Sequence, residues 1–174
     1  ELQLQREELS STRGVFEKQN DMLSQEKFES TYFQMLSLFH SIVNSIDIRR
    51  NNPEKTLIKT GRDCFETFYK ELDAEVYKLL EREKNKTDIV VQSYLTEDNL
   101  PIKFYIEAYD TVYTKHRSDL SHYFRTFYHI IKLIDNSDLK IKKQYTSIAR
   151  AQLSSYEQTL LFYNCLHHNG NEKF

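Results

Sequence analysis

The stretch HRSDLSHYFRTFYHI, residues 116–130, gathers three of the six histidines and two arginines among aromatic and aliphatic side chains. Arg117 and His122 stand in R-x4-H spacing, a pair that could cleave a phosphodiester without a metal. The guanidinium would stabilise charge building on the phosphorane, and the imidazole would serve as general acid or base. So short a pattern also arises by chance in a chain with several Arg and His. On a helical plot, Ser118, His122, Arg125, His129 and Lys132 fall within about 80° of one another. Leu120, Phe124, Phe127, Ile131 and Ile134 fill the opposite side, and Arg117 lies about 140° from His122. The helix face therefore groups His122, Arg125 and His129, and predicts a hydrogen-bonded stripe between helices.

A second polar set lies in IARAQLSSYEQTLLFYNCL, where Arg150, Ser154, Glu157 and Asn164 share one side of an apolar helix. The expectation is that His122 and Arg125 face Arg150, Ser154 or Glu157, with an Arg125 to Glu157 bridge fixing register. Other chemistry is poorly represented. There is no Gly-rich phosphate loop, G-x-S-x-G or H-E-x-x-H,. Cys165, His167 and His168 could offer metal ligands but have no second cluster at ligand spacing, so neither a metal nor a cofactor is expected. His40 reads as a packing residue.

These residues need helices to position them. Three glycines and two prolines in 174 residues leave little turn material, and the apolar positions recur at helical spacing, which predicts an all-α bundle of about five major helices,. A net charge of -2 supplies no global attraction for nucleic acid,. Cys64 and Cys165 form no C-x-x-C and read as reduced thiols. No run of 18 apolar residues occurs, and residues 1–27 do not have the pattern of a signal peptide,.

Residues 1–27 are polar apart from Leu2, Leu9, Phe16 and Leu23, a seven-residue repeat that suggests a weak coiled coil or connecting helix,. The opening without a Met or a cap suggests a fragment cut within a longer helix. From Phe28, the positions Tyr32, Met35, Phe39, Ile42 and Ile46 form a core-facing stripe, and this first helix is expected to run as one rod through both regions. Asn51, Asn52 and Pro53 should break it. Thr60 can cap the next helix, with Phe65, Phe68, Leu72, Val76 and Leu79 inward. IVVQSYL alone has strand character. Pro101 suits the start of a helix reaching about His116, Ser118 can cap the following one to Asp135, and a last helix is expected from about Leu139 to His168. Its apolar stripe would be Leu153, Tyr156, Leu160 and Tyr163, widened by Ile148, Phe162 and Leu166. The division is thus residues 1–27, a connecting helix, and residues 28–174, the helical domain.

The blocks YFQMLSLFHSIVNSI, GRDCFETFYKEL, LSHYFRTFYHIIKLID and IARAQLSSYEQTLLFYNCLHHNGNEKF, in that order over residues 28–174, resemble the putative phage abortive infection protein family. HYFR followed by RAQLSSYE and LLFYN is far more distinctive than R-x4-H. The positions carried by the resemblance are Gly61, Arg62, Phe65, His122, Tyr123, Phe124, Arg125, Arg150, Gln152, Leu153, Ser154, Glu157 and Asn164; Arg117 is not among them. The resemblance implies a bacterial antiphage protein whose cytoplasmic domain is tethered to the inner membrane by segments absent from this chain. Two readings follow. One is a sensor or interaction module that forms homo-oligomers through its N-terminal helix and binds a phage component. The other is a metal-independent ribonuclease acting on RNA through Arg117 and His122. In helical ribonucleases a small polar residue, commonly Asn, Asp or His, follows the Arg, where Ser118 stands here.

Overall fold

The computed structural model describes residues 1–51, 56–86, 99–168 and 170–171. IVVQSYL, residues 89–95, and Asn169 lie outside the described residues. Among the described residues, six helices and one two-stranded hairpin follow in chain order: α1 Leu2–Ser45, β1 Asp47–Asn51, β2 Thr56–Thr60, α2 Asp63–Lys84, α3 Ile102–Lys115, α4 Arg117–Asp135, α5 Lys142–Ala151 and α6 Ser155–Leu166. The all-α bundle with a long first helix is as the spacing predicts.

Helix α1 has two halves with different duties. From Phe28 onward the stripe turns inward, and Tyr32, Leu36, Phe39, Ile42 and Val43 are buried. Before Phe28 nearly every side chain is exposed. The inner half packs on α4, and α2 packs along α3, while α6 closes over α2 and α3. Tyr32 ties α1 to α5 by donating to the Tyr145 carbonyl at 2.8 Å, and the Tyr145 hydroxyl donates back to Glu29 at 2.6 Å. A buried hydroxyl needs such a partner, so these bonds select one docking of α5.

Helix α1 ends at Ser45, before the Asn-Asn-Pro break, because the chain leaves Ile46 extended and enters an antiparallel hairpin with Asp47 opposite Thr60. Gly61 closes it. Its φ of 60° is one that a side chain disfavours, and its N–H donates to the Ile46 carbonyl at 2.8 Å,. This turn delivers Arg62 to the mouth of α2, whose first turn carries Asp63 and Glu66 and whose last carries Arg82 and Lys84, matching the helix dipole,. Thr60 ends a strand and caps nothing.

The expected single helix over 139–168 is instead two helices, α5 and α6. Gln152 to Ser154 leave the helix, and Ser154, at φ -69° and ψ 166°, starts a new one through a reciprocal capping box with Glu157,. The break shifts the phase of the apolar face. Leu153 and Leu160 are buried, but Tyr156, Phe162 and Leu166 are 39%, 55% and 39% exposed.

Gly61 and Gly14 should respond oppositely to a side chain. Gly61→Ala places a Cβ in the left-handed region and should cost about 1 kcal/mol or more in denaturant unfolding. Gly14 has open space where a Cβ would stand, so Gly14→Ala should raise the helical stability of α1 by about 0.5–1 kcal/mol, read by circular dichroism on heating.

Candidate functional site

The Glu157 side chain is wholly buried in the first turn of α6. Every part of its carboxylate is answered. Oε2 accepts the Ser154 backbone N–H at 2.7 Å, while the Ser154 hydroxyl accepts the Glu157 N–H at 3.3 Å. Oε1 accepts the Tyr123 hydroxyl of α4 at 3.2 Å. The guanidinium of Arg62 stands 3.5 Å from Oε2 with its side chain 42% exposed. Capping uses the negative end where the helix dipole favours it, and Arg62 supplies the opposing charge from the solvent side.

Tyr123 is the centre of the aromatic core. Its ring lies 4.7 Å from Phe65, 5.1 Å from Phe39 and 5.1 Å from Phe124, centroid to centroid. Burial, and after it the negative charge of Glu157, pushes its phenol well above the ordinary value. The hydroxyl therefore stays protonated and remains a donor.

A second polar group fastens the tail after α6 to α3. The Tyr109 hydroxyl donates to the Asn164 side-chain carbonyl at 3.0 Å, and His167, 2% exposed, meets Asp110 at 3.0 Å. The Gly170 N–H donates to the His167 carbonyl at 2.9 Å, and a Cβ at Gly170 would collide with the Asn164 backbone. Burial, then the neighbouring His168, holds the His167 pKa below 6.5 against the opposing pull of Asp110. A third contact, between His40 and Gln152 at 3.1 Å, joins α1 to the break before α6.

The residues of the opening stretch separate. His116 lies 2.7 Å from Glu71 and 4.5 Å, ring to ring, from Phe68, and Lys115 donates to the same carboxylate at 2.9 Å. Burial raises the Glu71 pKa, but the hydrogen bonds from His116 and Lys115 outweigh it and leave the carboxyl below its ordinary value. Arg117, His122, Arg125 and Arg150 are all exposed. Among the described residues no hydrogen bond or ion pair joins His122 or Arg125 to Arg150, Ser154 or Glu157. The expected Arg125 to Glu157 bridge is replaced by Arg62 to Glu157, because α4 turns Tyr123 inward and carries Arg125 outward. The candidate set His122, Arg125, Arg150, Gln152, Ser154, Glu157 and Asn164 is thus distributed over three local groups and an exposed face. Arg62 and Tyr123 stand among the resemblance positions, yet spacing gave neither a partner. The Gly-Arg pair between a breaker and a helix was the available signal for Arg62.

This arrangement defines a helical packing domain whose buried carboxylate locks three elements and whose cationic residues on α4 face solvent. Residues 115–174, the last third of the chain, match the model of the putative phage abortive infection protein family. The match takes in α4, α5 and α6 and is a shorter span than the resemblance over 28–174. No curated protein and no solved structure matches the chain. Among the described residues no helix is long and apolar enough to cross a membrane, and no three His, Cys, Asp or Glu side chains are grouped to hold a metal.

Glu157→Ala removes a capping box and strands the Tyr123 hydroxyl, so it should destabilise by about 2–4 kcal/mol. Arg62→Ala should cost about 1–3 kcal/mol, less than a fully buried partner would, because solvent reaches the guanidinium. Arg125→Ala should stay within about 0.5 kcal/mol of the parent in chemical denaturation. For His167 the folded pKa is depressed, so its contribution is fully present above pH 6.5 and is lost as pH falls from there toward the folded value,. His167→Asn should flatten stability across that window in a pH series of melting temperatures.

Proposed function

We propose that this chain is a sensor or interaction module of an antiphage abortive infection system, and that its working surface is the solvent side of α4 together with the outer half of α1. What carries the reading is the division within the HYFR block: Tyr123 and Phe124 are buried, whereas His122 and Arg125 are exposed. An exposed arginine and imidazole beside a rigid core suit recognition of a partner, here an acidic phage component, more than a water-excluding catalytic cleft. The family match to residues 115–174 supports the defence role, and the resemblance supports a tether to the bacterial inner membrane on its cytoplasmic side.

The ribonuclease reading draws on the accessibility of Arg117 and His122. Their directions oppose it. Five residues apart on α4 they diverge by about 140°, too far to grip one phosphate together without help from another element.

The test is a plaque assay on the full-length protein in its host, paired with RNA cleavage by the purified domain and an expression check for each variant. Arg125→Glu should fold normally and lose protection, and Arg117→Ala should keep protection. A folded Arg117→Ala variant that loses both protection and a parental RNA cleavage activity would replace the module with the nuclease.

A further inference from the structure

The outer half of α1 presents Leu2, Leu9, Phe16 and Leu23 at 78%, 70%, 65% and 63% exposure. The stripe is not a continuation of the core face. Extended along the helix, the line through Tyr32, Phe39 and Val43 lies more than about 100° from it. A seven-residue repeat on a separate face is the pattern of a seam that needs a second helix.

We propose that residues 2–23 of α1 pair with the same residues of a second copy as a parallel, in-register coiled coil, which names the partner of the α1 surface in the module reading and rests on that reading. The charges choose the register. If the Leu positions were d, position a would hold Arg6, Arg13 and Asn20, and two layers would bury like charges against their own copies. With the Leu positions at a, position d holds Gln5, Thr12 and Gln19, uncharged groups that can hydrogen-bond to their symmetry mates. Glu26 occupies the next d position, where two copies would repel, so the seam stops at Leu23.

That register also fixes the direction. Position g holds Glu1, Glu8, Val15 and Met22, and position e holds Arg6, Arg13 and Asn20. In a parallel pair each g residue meets the e residue five places on in the other helix. Glu1 then meets Arg6 and Glu8 meets Arg13, each twice by symmetry. An antiparallel pair would set e against e, bringing the two Arg13 side chains together, and acids against acids along g. Arg13 now bonds Glu17 of its own helix at 3.0 Å on the exposed surface, a pair weak enough to exchange. Val15 and Met22, 52% and 63% exposed, would cover the flank of the seam. Gly14 falls at position f, facing away, where its missing side chain costs no packing.

The experiment measures mass by sedimentation and light scattering on the whole 174-residue chain, with circular dichroism confirming that each variant is folded. The parent should dimerise, and Phe16→Glu should be monomeric with an unchanged far-ultraviolet spectrum. Glu8→Arg and Arg13→Glu should each weaken the dimer roughly tenfold, and the double exchange E8R/R13E should restore it. Thr12→Cys in a Cys165→Ser background should oxidise to a disulfide-linked dimer. A parent that stays monomeric at every concentration overturns the proposal, as does a dimer in which Thr12→Cys does not cross-link or the double exchange is no better than the singles. None of these readouts involves phage, so failure of the seam and failure of the defence role are told apart.

Discussion

A carboxylate shut away from water is tolerable only when its charge and its lone pairs are answered, and Glu157 meets that condition by drawing on three separated parts of the chain. Its own helix start supplies a backbone N–H, α4 supplies the Tyr123 hydroxyl, and the turn after the hairpin supplies Arg62. Each donor is useful only where its element arrives at the right place. The hairpin must therefore close with Gly61 in its left-handed conformation, α4 must turn Tyr123 inward, and α5 must end before Ser154. One buried charge thus constrains the path of half the fold.

The consequence for the surface is geometric. In HYFR, Tyr123 and Phe124 lie in the core, and the adjacent His122 and Arg125 then lie on the outer side because a helix advances about 100° per residue. The latch and the cationic face are two results of one rotation of α4. A change that rotated this helix to recover an Arg125 to Glu157 bridge would expose Tyr123 and part its ring from Phe39 and Phe65. The aromatic contacts outweigh that exchange, since a surface arginine can still reach water.

What could be read in the sequence was local. The inward face of α1 follows from steps of three and four, and of the α4 stripe Leu120, Phe124, Phe127 and Ile134 are buried while Ile131 is half-buried,. The break before α6 was harder, because apolar residues continue through Leu153 and disguise a helix start. Ser154 and Glu157 carry the capping-box spacing, a signal that competes with periodicity and here prevails. Sequence does not announce the hairpin, because Asp47–Asn51 and Thr56–Thr60 are only five residues each and an isolated two-stranded hairpin is marginal without packing from the rest of the fold,. Choosing Arg62 over Arg125 needed knowledge of which elements meet. Periodicity places residues on faces but does not say which face finds which.

Helix α1 joins the two kinds of surface. It is continuous from Leu2 to Ser45, so its exposed half and its core half cannot turn independently without breaking intrahelical hydrogen bonds. The core half is fixed on α5 by Tyr32 and Tyr145, on α4 by Phe39, and to the break before α6 by His40 and Gln152. Any partner that orients the outer half therefore orients the bundle, and with it the cationic face of α4. An interaction along α1 has a direct mechanical path to the exposed face of α4: an unbroken helix seated against Tyr123, the residue whose hydroxyl holds Glu157.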